Sequence, residues 1–418
     1  MMRFRSLSLG FVAAGLSIAS LSAVTLCPST AYAAEGIRPE VGKPLQAAQD
    51  LAKKGEFAKA LEEVGKAAAV SGKTPHETLL IEQVRGSIAQ QGGQPAVAIK
   101  AFEAVIATGG LDAPAQLRMV EAVAVLYNQQ KDYAKTVFWL NRYRKDGGND
   151  PAMRALLIQA NYDAKDYATA AKEQQDQIAA EEKANQVPPE AQYQLLLNCL
   201  LNQNDSAGYA AVLEKTVLHY PKPDYWSDLL HRSSIKPGFA SSRLGLDIDR
   251  LKLATSTMKN GDDYRDMVQT AIQEHLPGEA KDVVDKAFAA GLMGKDEKAP
   301  RDNKLRDLVN TTVTSDQAAL DAKANAAAEA KDGQEMLNLG LDYVGYGQVD
   351  KGLKLMEDGV RADAQKHPED GKLHLAIAYL RAGQKPKALQ MFKSVAGTDG
   401  TADLARLWVL VANAKPAS

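Results

Sequence analysis

A three-residue pattern recurs along this chain of 418 residues and limits what the chain can fold into. A glycine is followed five residues later by a small residue and nine residues later by a large apolar one. The stretch RAGQKPKALQMFKSV contains the pattern as Gly383, Ala388 and Phe392, and KKGEFAKALEEVGK repeats it near the other end. A glycine suits a tight turn between two helices, and a small residue lets the helices cross closely. The pattern therefore predicts stacked helical hairpins.

The pattern can be followed through most of the chain by its turn positions. The positions are Gly55, Gly93, Lys131, Lys165, Asn204, His275, Gly347 and Gly383. Two wide gaps hold weaker units, one around Pro237 and one around Thr311 to Ser315. Turns of adjacent units are 34 to 39 residues apart, a period typical of helical-hairpin repeats. The sequence predicts an all-α fold, an α-solenoid of about ten hairpins.

The N-terminal 33 residues read as an export signal. Arg3 and Arg5 precede an uncharged apolar stretch, which ends in an Ala-Tyr-Ala motif closing at Ala33. This order is typical of a secretory signal peptide, so we expect cleavage after Ala33 and a periplasmic protein. The alternative is a retained membrane anchor, since the stretch is long enough to span a bilayer. A lipoprotein at Cys27 is disfavoured, because the preceding Leu26 is not small.

Net charge and cysteine content give no indication of nucleic-acid binding, disulfide bonds or thiol chemistry. The net charge of −2 gives no indication of nucleic-acid binding. Cleavage would leave Cys199 as the single cysteine, so no disulfide is expected within the mature chain. Cys199 lies in the apolar run QLLLNCLLNQ, which predicts a small buried side chain rather than a reactive thiol.

The sequence contains no recognisable catalytic motif. The segment HETLL, beginning at His76, has Leu80 where a zinc protease needs a second histidine. The six histidines are scattered, and no phosphate-binding loop or nucleophile motif is present. We therefore predict a protein that is not an enzyme and needs no metal or cofactor.

The repeat unit resembles the tetratricopeptide repeat (TPR). The match is clearest in LNLGLDYVGYGQVDKGLKLMEDG, through Gly340, Tyr343, Gly347, Gly352 and Met356. The resemblance extends over most of residues 45 to 415. It implies a concave groove lined by the first helix of each hairpin, and a role in binding protein or peptide partners.

The resemblance also places candidate groove residues near the start of each first helix and ten or six residues before its turn. These positions give Arg118, Glu121, Gln159, Gln194, Asn198, His231, Arg265 and Gln269. Their amide and charged groups suit hydrogen bonding to an extended peptide. Trp226 and Tyr225 could form an aromatic anchor, but Trp226 occupies a position that is buried in the repeat and is predicted to be core.

The sequence predicts four segments. They are a signal peptide at 1–33, an N-terminal repeat array at 34–235, an irregular joint at 236–260 and a C-terminal array at 261–418. The predicted function is a non-enzymatic periplasmic scaffold or adaptor, without nucleic-acid partners and with only indirect membrane contact. The block from 224 to 294 is similar to exported repeat proteins that accompany TonB-type uptake systems. Assistance to exopolysaccharide or cell-envelope assembly is the other alternative.

Overall fold

The computed structural model describes residues 36–362 and 366–414, and every regular element in these ranges is helical. The predicted signal peptide and Cys27 lie outside the described residues. Of the helices described, none combines the length and the apolar character that a membrane span requires. The chain divides into two compact units, Met1–Glu173 (unit 1) and Gln174–Ser418 (unit 2).

The helices of unit 1 follow one another with short connections. They are α1 (Pro39–Lys53), α2 (Phe57–Ala69), α3 (Pro75–Gln91), α4 (Pro95–Ala107), α5 (Ala113–Gln129), α6 (Tyr133–Lys145) and α7 (Pro151–Asp163). Helix α8 (Tyr167–Lys183) begins in unit 1 and ends in unit 2. Proline lies in the first turn of α1, α3, α4, α5 and α7, where its missing N–H costs no hydrogen bond.

Unit 2 contains twelve further helices among its described residues. They are α9 (Glu190–Asn202), α10 (Ser206–His219), α11 (Pro223–Ser234), α12 (Gly245–Ala254), α13 (Gly261–Gln273), α14 (Pro277–Ala289), α15 (Ala299–Ala330), α16 (Gly333–Gly345), α17 (Val349–Arg361), α18 (Pro368–Arg381), α19 (Lys385–Ser394) and α20 (Thr401–Asn413). A short 3-10 turn at Asp296–Lys298 precedes α15.

The turn prediction is confirmed at all eight positions. Each of them has a positive φ, between 57° and 81°. In this left-handed conformation the residue after a helix lets its N–H bond back to the helix carbonyls. Glycine tolerates it at Gly55, but Lys131 and His275 adopt it as well. The repeat period therefore located turns that residue type alone would have missed.

The small residues predicted five positions after the turn lie at close helix crossings. Ala60, Ala98, Ala170, Ala280 and Ala388 are fully buried. Gly352 of α17 packs against the backbone of Gly340 in α16, and an added Cβ at Gly352 would collide with the Gly340 carbonyl oxygen. The α-solenoid fold class is thus confirmed, with nine consecutive helix pairs in the described residues and two single helices, α15 and α20.

The two weaker units have different outcomes. A helix pair does flank Pro237, since α11 ends before it and α12 begins after it. The hairpin predicted around Thr311 to Ser315 is wrong, because α15 runs through these residues without interruption. No glycine or proline occurs there to end the helix, and the turn falls instead at Lys331, which has φ 54°.

The local predictions for Trp226 and Cys199 are confirmed. Trp226 is 2% exposed and belongs to the core, and Cys199 is a buried free cysteine. Thr74 forms a capping box with Glu77 at the start of α3. The alanine-rich segment before Gly333 is helical and forms the end of α15.

Unit 2 has a feature that the repeat did not predict. Its last helix, α20, contacts α10 and α12, which come early in the same unit. Arg406 of α20 forms an ion pair with Glu214 of α10, and Lys236 lies 2.9 Å from Asp403. The compact units divide after residue 173, whereas the predicted repeat arrays were divided at 235 and 260 from the sequence pattern. The division into two repeat arrays stays a prediction.

Candidate protein-binding surface

Three predicted groove residues lie in unit 1, on α5 and α7. Arg118 is exposed and forms no ion pair within the described part of the chain. Glu121 is half-buried, and burial, reinforced by the charge of Asp150, raises the pKa of its carboxyl. Gln159 is half-buried and donates to Asp163 at 3.1 Å. This face therefore carries polar groups, of which Arg118 is fully open to a partner.

The other predicted residues lie in unit 2, and most of them are accessible. Gln194 is half-buried and donates to the Tyr225 hydroxyl at 2.8 Å. Asn198 and Gln269 are half-buried, and His231 is exposed. The structure leaves these positions open to solvent, and their role in binding stays a prediction.

Arg265 differs from the expectation of an exposed groove residue. Its side chain is 1% exposed and donates to Asp302 of α15 at 2.7 Å. It also pairs with Asp262, one helical turn away. This buried guanidinium joins α13 to α15 through Asp302, so the placement of Arg265 on an accessible face is wrong.

Unit 1 also contains a pocket of about 300 Å³ between α6, α7 and α8. Its apolar walls come from Leu140, Tyr143, Met153 and Leu157. The other lining residues are Arg144, Gly148, Asn149, Asp150, Arg154 and Glu173. An apolar interior with a polar rim is typical of sites that bind a ligand or a partner's side chain.

The loop from α6 to α7 shapes one wall of this pocket. Gly147 has φ 97°, a conformation that favours glycine. A Cβ on Gly148 would collide with the Tyr143 ring, so glycine allows the ring to pack directly under the loop. Burial raises the pKa of the Tyr143 hydroxyl and outweighs a hydrogen bond with the backbone of Asp150, which acts in the opposite direction.

The charged side chains around the pocket differ in whether they already have a bonding partner. Arg144 forms an ion pair with Glu173 at 2.8 Å. The Asp150 carboxylate accepts from the backbone N–H of Ala152 at 2.8 Å and caps α7. Arg154 is exposed and forms no ion pair in the part of the chain that the structure describes. The pocket thus has one cation available to a partner.

The sequence prediction missed the pocket, and the repeat pattern carries no specific signal for it. The residue eleven positions before the turn is buried and apolar or aromatic in several hairpins, as in Val120, Tyr193 and Met336. In the hairpin that turns at Lys165 the same position is Arg154. The equivalent position is also charged in two other hairpins, at Glu82 and Lys372, so Arg154 alone does not indicate an opening.

The interior of unit 2 shows the opposite arrangement, in which charges satisfy one another. Arg250 of α12 donates to Asp247 at 2.7 Å and to Glu279 of α14 at 2.6 Å. Glu279 also accepts from Arg381 of α18 at 2.7 Å, and His374 of α18 lies 3.0 Å from Asp247. We call these five residues the interior charge cluster. It connects α12, α14 and α18.

Opposite charges keep the carboxylates of this cluster ionised. Burial alone would raise the pKa of Asp247, but the charges of His374 and Arg250 outweigh it and lower the pKa to about 2. The charges of Arg250 and Arg381 likewise outweigh burial and lower the pKa of Glu279. These ionised groups are engaged with one another, which favours a structural role for the cluster.

Asp342 of α16 is a buried carboxyl of a different kind. It accepts from the backbone N–H of Gly278 at 2.8 Å and is 1% exposed. Burial, aided by the charges of Asp316 and Glu279, raises its pKa to about 8 despite that hydrogen bond.

The described residues contain no group of three or more His, Cys, Asp or Glu side chains that could hold a metal ion.

Comparison with known proteins gives limited information. No protein-family model and no curated protein matches the chain. Among solved structures, the chain is similar to Naa15/Naa10 bound to HypK-THB, with 14% identity and a TM-score of 0.33, covering 85% of this chain and 58% of that one. Yeast Tom70 has 10% identity and a TM-score of 0.24, covering 89% and 95% of the two chains.

The TPR domain of P58(IPK) is a further similar structure. It has 12% identity and a TM-score of 0.23, covering 89% of this chain and 98% of that one. Likenesses at these scores carry no argument about a binding site or a partner. The TPR-like fold rests on the helix pairs, turns and crossings described above.

Proposed function

We propose that this protein is a non-enzymatic scaffold or adaptor of the periplasm, which binds a protein or peptide partner through exposed first helices of its hairpins. The observation that carries the proposal is the exposed polar face of α5, where Arg118 forms no ion pair within the described residues. A solvated guanidinium suits hydrogen bonding to an extended chain. The export signal predicted at residues 1–33 supports the periplasmic location.

The test is capture of a partner in cells. The full chain would be cross-linked in cells of its source, purified, and its attached proteins identified by mass spectrometry. We expect a reproducible partner whose recovery falls about 10-fold in the Arg118→Glu, Asn198→Ala double variant, since losing hydrogen bonds to charged groups has this effect. Lys100→Glu, an exposed change on the second helix α4, is the matched control and should retain the partner.

The identity of the captured proteins would separate the finer roles. Energy-transducer subunits would assign the protein to TonB-type uptake, whereas assembly components would assign it to exopolysaccharide or cell-envelope assembly. Equal recovery with the double variant and wild type would contradict the groove assignment. Failure of the wild-type chain to retain any specific protein would contradict the scaffold function.

A further inference from the structure

The pocket in unit 1 combines features that point to one kind of occupant. Leu140, Met153 and Leu157 give it apolar walls, and the Tyr143 ring lies beneath the α6–α7 loop. Its volume of about 300 Å³ is at the lower end of the range for small-molecule sites. A space of this size accommodates one large aliphatic side chain together with its neighbouring backbone.

The charges at the rim define what should flank that side chain. Arg144 is engaged by Glu173, and Asp150 by the N-terminus of α7. Arg154 therefore remains as the cation without a counter-ion in the described chain. A guanidinium presents several N–H donors in a planar fork and binds carboxylates better than neutral groups.

The geometry points to a docking site for an acidic peptide segment of a partner protein. An aliphatic side chain of the segment enters the pocket, and a carboxylate on an adjacent residue pairs with the Arg154 guanidinium. The exposed Asn149 at the rim offers an amide to the peptide backbone. This inference rests on the proposed function, since it gives the chemistry of the partner, but it concerns the pocket residues of α6, α7 and α8 rather than Arg118 of α5.

Met153 provides a direct reporter of occupancy. The full chain contains ten methionines, so methyl-¹³C labelling of methionine gives a small set of NMR signals. A Met153→Leu variant identifies the signal from the pocket. The probes are three blocked peptides, acetyl-Gly-Glu-Leu-Glu-Gly-amide and its matched Gln-Leu-Gln and Glu-Ala-Glu forms.

We expect the Glu-Leu-Glu peptide to shift the Met153 methyl signal with a dissociation constant on the order of 1 mM. The Gln-Leu-Gln peptide should bind about 10-fold more weakly, because it lacks the charge-assisted hydrogen bond. Arg154→Gln should weaken Glu-Leu-Glu by the same factor and abolish the difference between the two peptides. Lys145→Gln, which removes an exposed cation of α6 outside the pocket lining, should change neither affinity.

Three results would overturn the inference. The first is no shift of the Met153 methyl signal when the Glu-Leu-Glu peptide is present at about tenfold its expected dissociation constant. The second is equal affinity of the protein for the Glu-Ala-Glu and Glu-Leu-Glu peptides. The third is an unchanged affinity of the Arg154→Gln variant for the Glu-Leu-Glu peptide. Arg154 is exposed, so its replacement should leave the fold intact, and retained signals of the other methionines would verify this. Partner capture that depends on Arg118 while the pocket stays empty would leave the proposed function standing and remove this site alone. Peptide binding in the pocket without any captured partner in cells would contradict the proposed function and leave the pocket as a peptide site.

Discussion

Units 1 and 2 are built from the same kind of hairpin, but three of their arginines have very different surroundings. In unit 2, Arg250 is 3% exposed and surrounded by carboxylates from its own and neighbouring helices. In unit 1, Arg118 and Arg154 are exposed and form no ion pair in the described chain. The repeat pattern thus specifies the backbone, whereas a few charges decide which faces remain available for binding.

The physical reason is the cost of burying charge. An ion taken out of water destabilises the fold unless opposite charges and hydrogen bonds compensate. The interior charge cluster meets this condition by joining α12, α14 and α18, and those groups are no longer available to a partner. Four predictions test the contrast between the units, beginning with the largest expected effect.

Replacing Arg250 with Met should destabilise unit 2 strongly. The change leaves the buried Asp247 and Glu279 carboxylates without their shared cation, and breaking such a pair costs roughly 3–5 kcal/mol. Urea unfolding measured by tryptophan fluorescence would detect it. A Trp139→Phe background leaves Trp226 and Trp408, which both lie in unit 2, as reporters.

The matched control for this change is Arg361→Met in the same unit. Arg361 is 68% exposed and pairs with Asp358 on its own helix, so the unfolding midpoint should not move. Equal midpoints for the two variants would contradict the view that the cluster holds unit 2 together.

The buried Asp342 carboxyl should make unit 2 less stable as pH rises. Its folded pKa of about 8 lies above the ordinary value of 3.8, so between these values the folded chain holds a proton that the unfolded chain releases. Stability is therefore full near pH 4 and lost as pH rises to about 8. Between pH 5 and pH 8 the loss should be roughly 2–4 kcal/mol.

The variant Asp342→Asn isolates this effect. Its amide oxygen can still accept from Gly278, but it carries no titrating proton. The difference in unfolding free energy between variant and wild type, measured at several pH values, should change in the variant's favour as pH rises. A difference that is independent of pH would show that Asp342 titrates normally.

Two glycine-to-alanine changes should have opposite effects in the two units. At Gly352 of α17, a methyl group meets the backbone of Gly340, and overpacking of this kind costs about 1–3 kcal/mol. At Gly65 of α2, no atom lies within 4 Å of the added methyl, and alanine favours helix by up to about 1 kcal/mol. Native-state hydrogen exchange of α17 and α2 amides would measure both, and protection that changes in the same direction at the two sites would contradict the packing argument.

The sequence predicted the hairpins well because their determinants are local. A turn requires a left-handed residue at a fixed distance from two apolar helices, and the period located it even at Lys131 and His275. The prediction failed in the long helix α15, where the repeat period alone placed a turn at Thr311 to Ser315. No residue there ends a helix, so the helix continues.

The candidate site was less predictable because its determinants are distant in sequence. Arg265 was assigned to a surface from its place in the repeat, but its partner Asp302 lies on another helix, 37 residues further along. The contacts of α20 with α10 and α12 are likewise tertiary, and no local pattern encodes them. The pocket is formed by residues of three helices and a loop, and no local pattern encodes it either.

The smallest expected effect on stability is at Arg118, and it completes the contrast with Arg250. Arg118→Glu reverses a charge that is exposed and unpaired in the described chain, so the fold loses no contact that depends on that charge. The thermal midpoint should be indistinguishable from wild type, because surface substitutions away from specific contacts rarely matter. A clear loss of stability would mean that Arg118 is part of the packing, as Arg265 proved to be. An unchanged midpoint together with loss of the captured partner would show that this charge serves binding rather than folding.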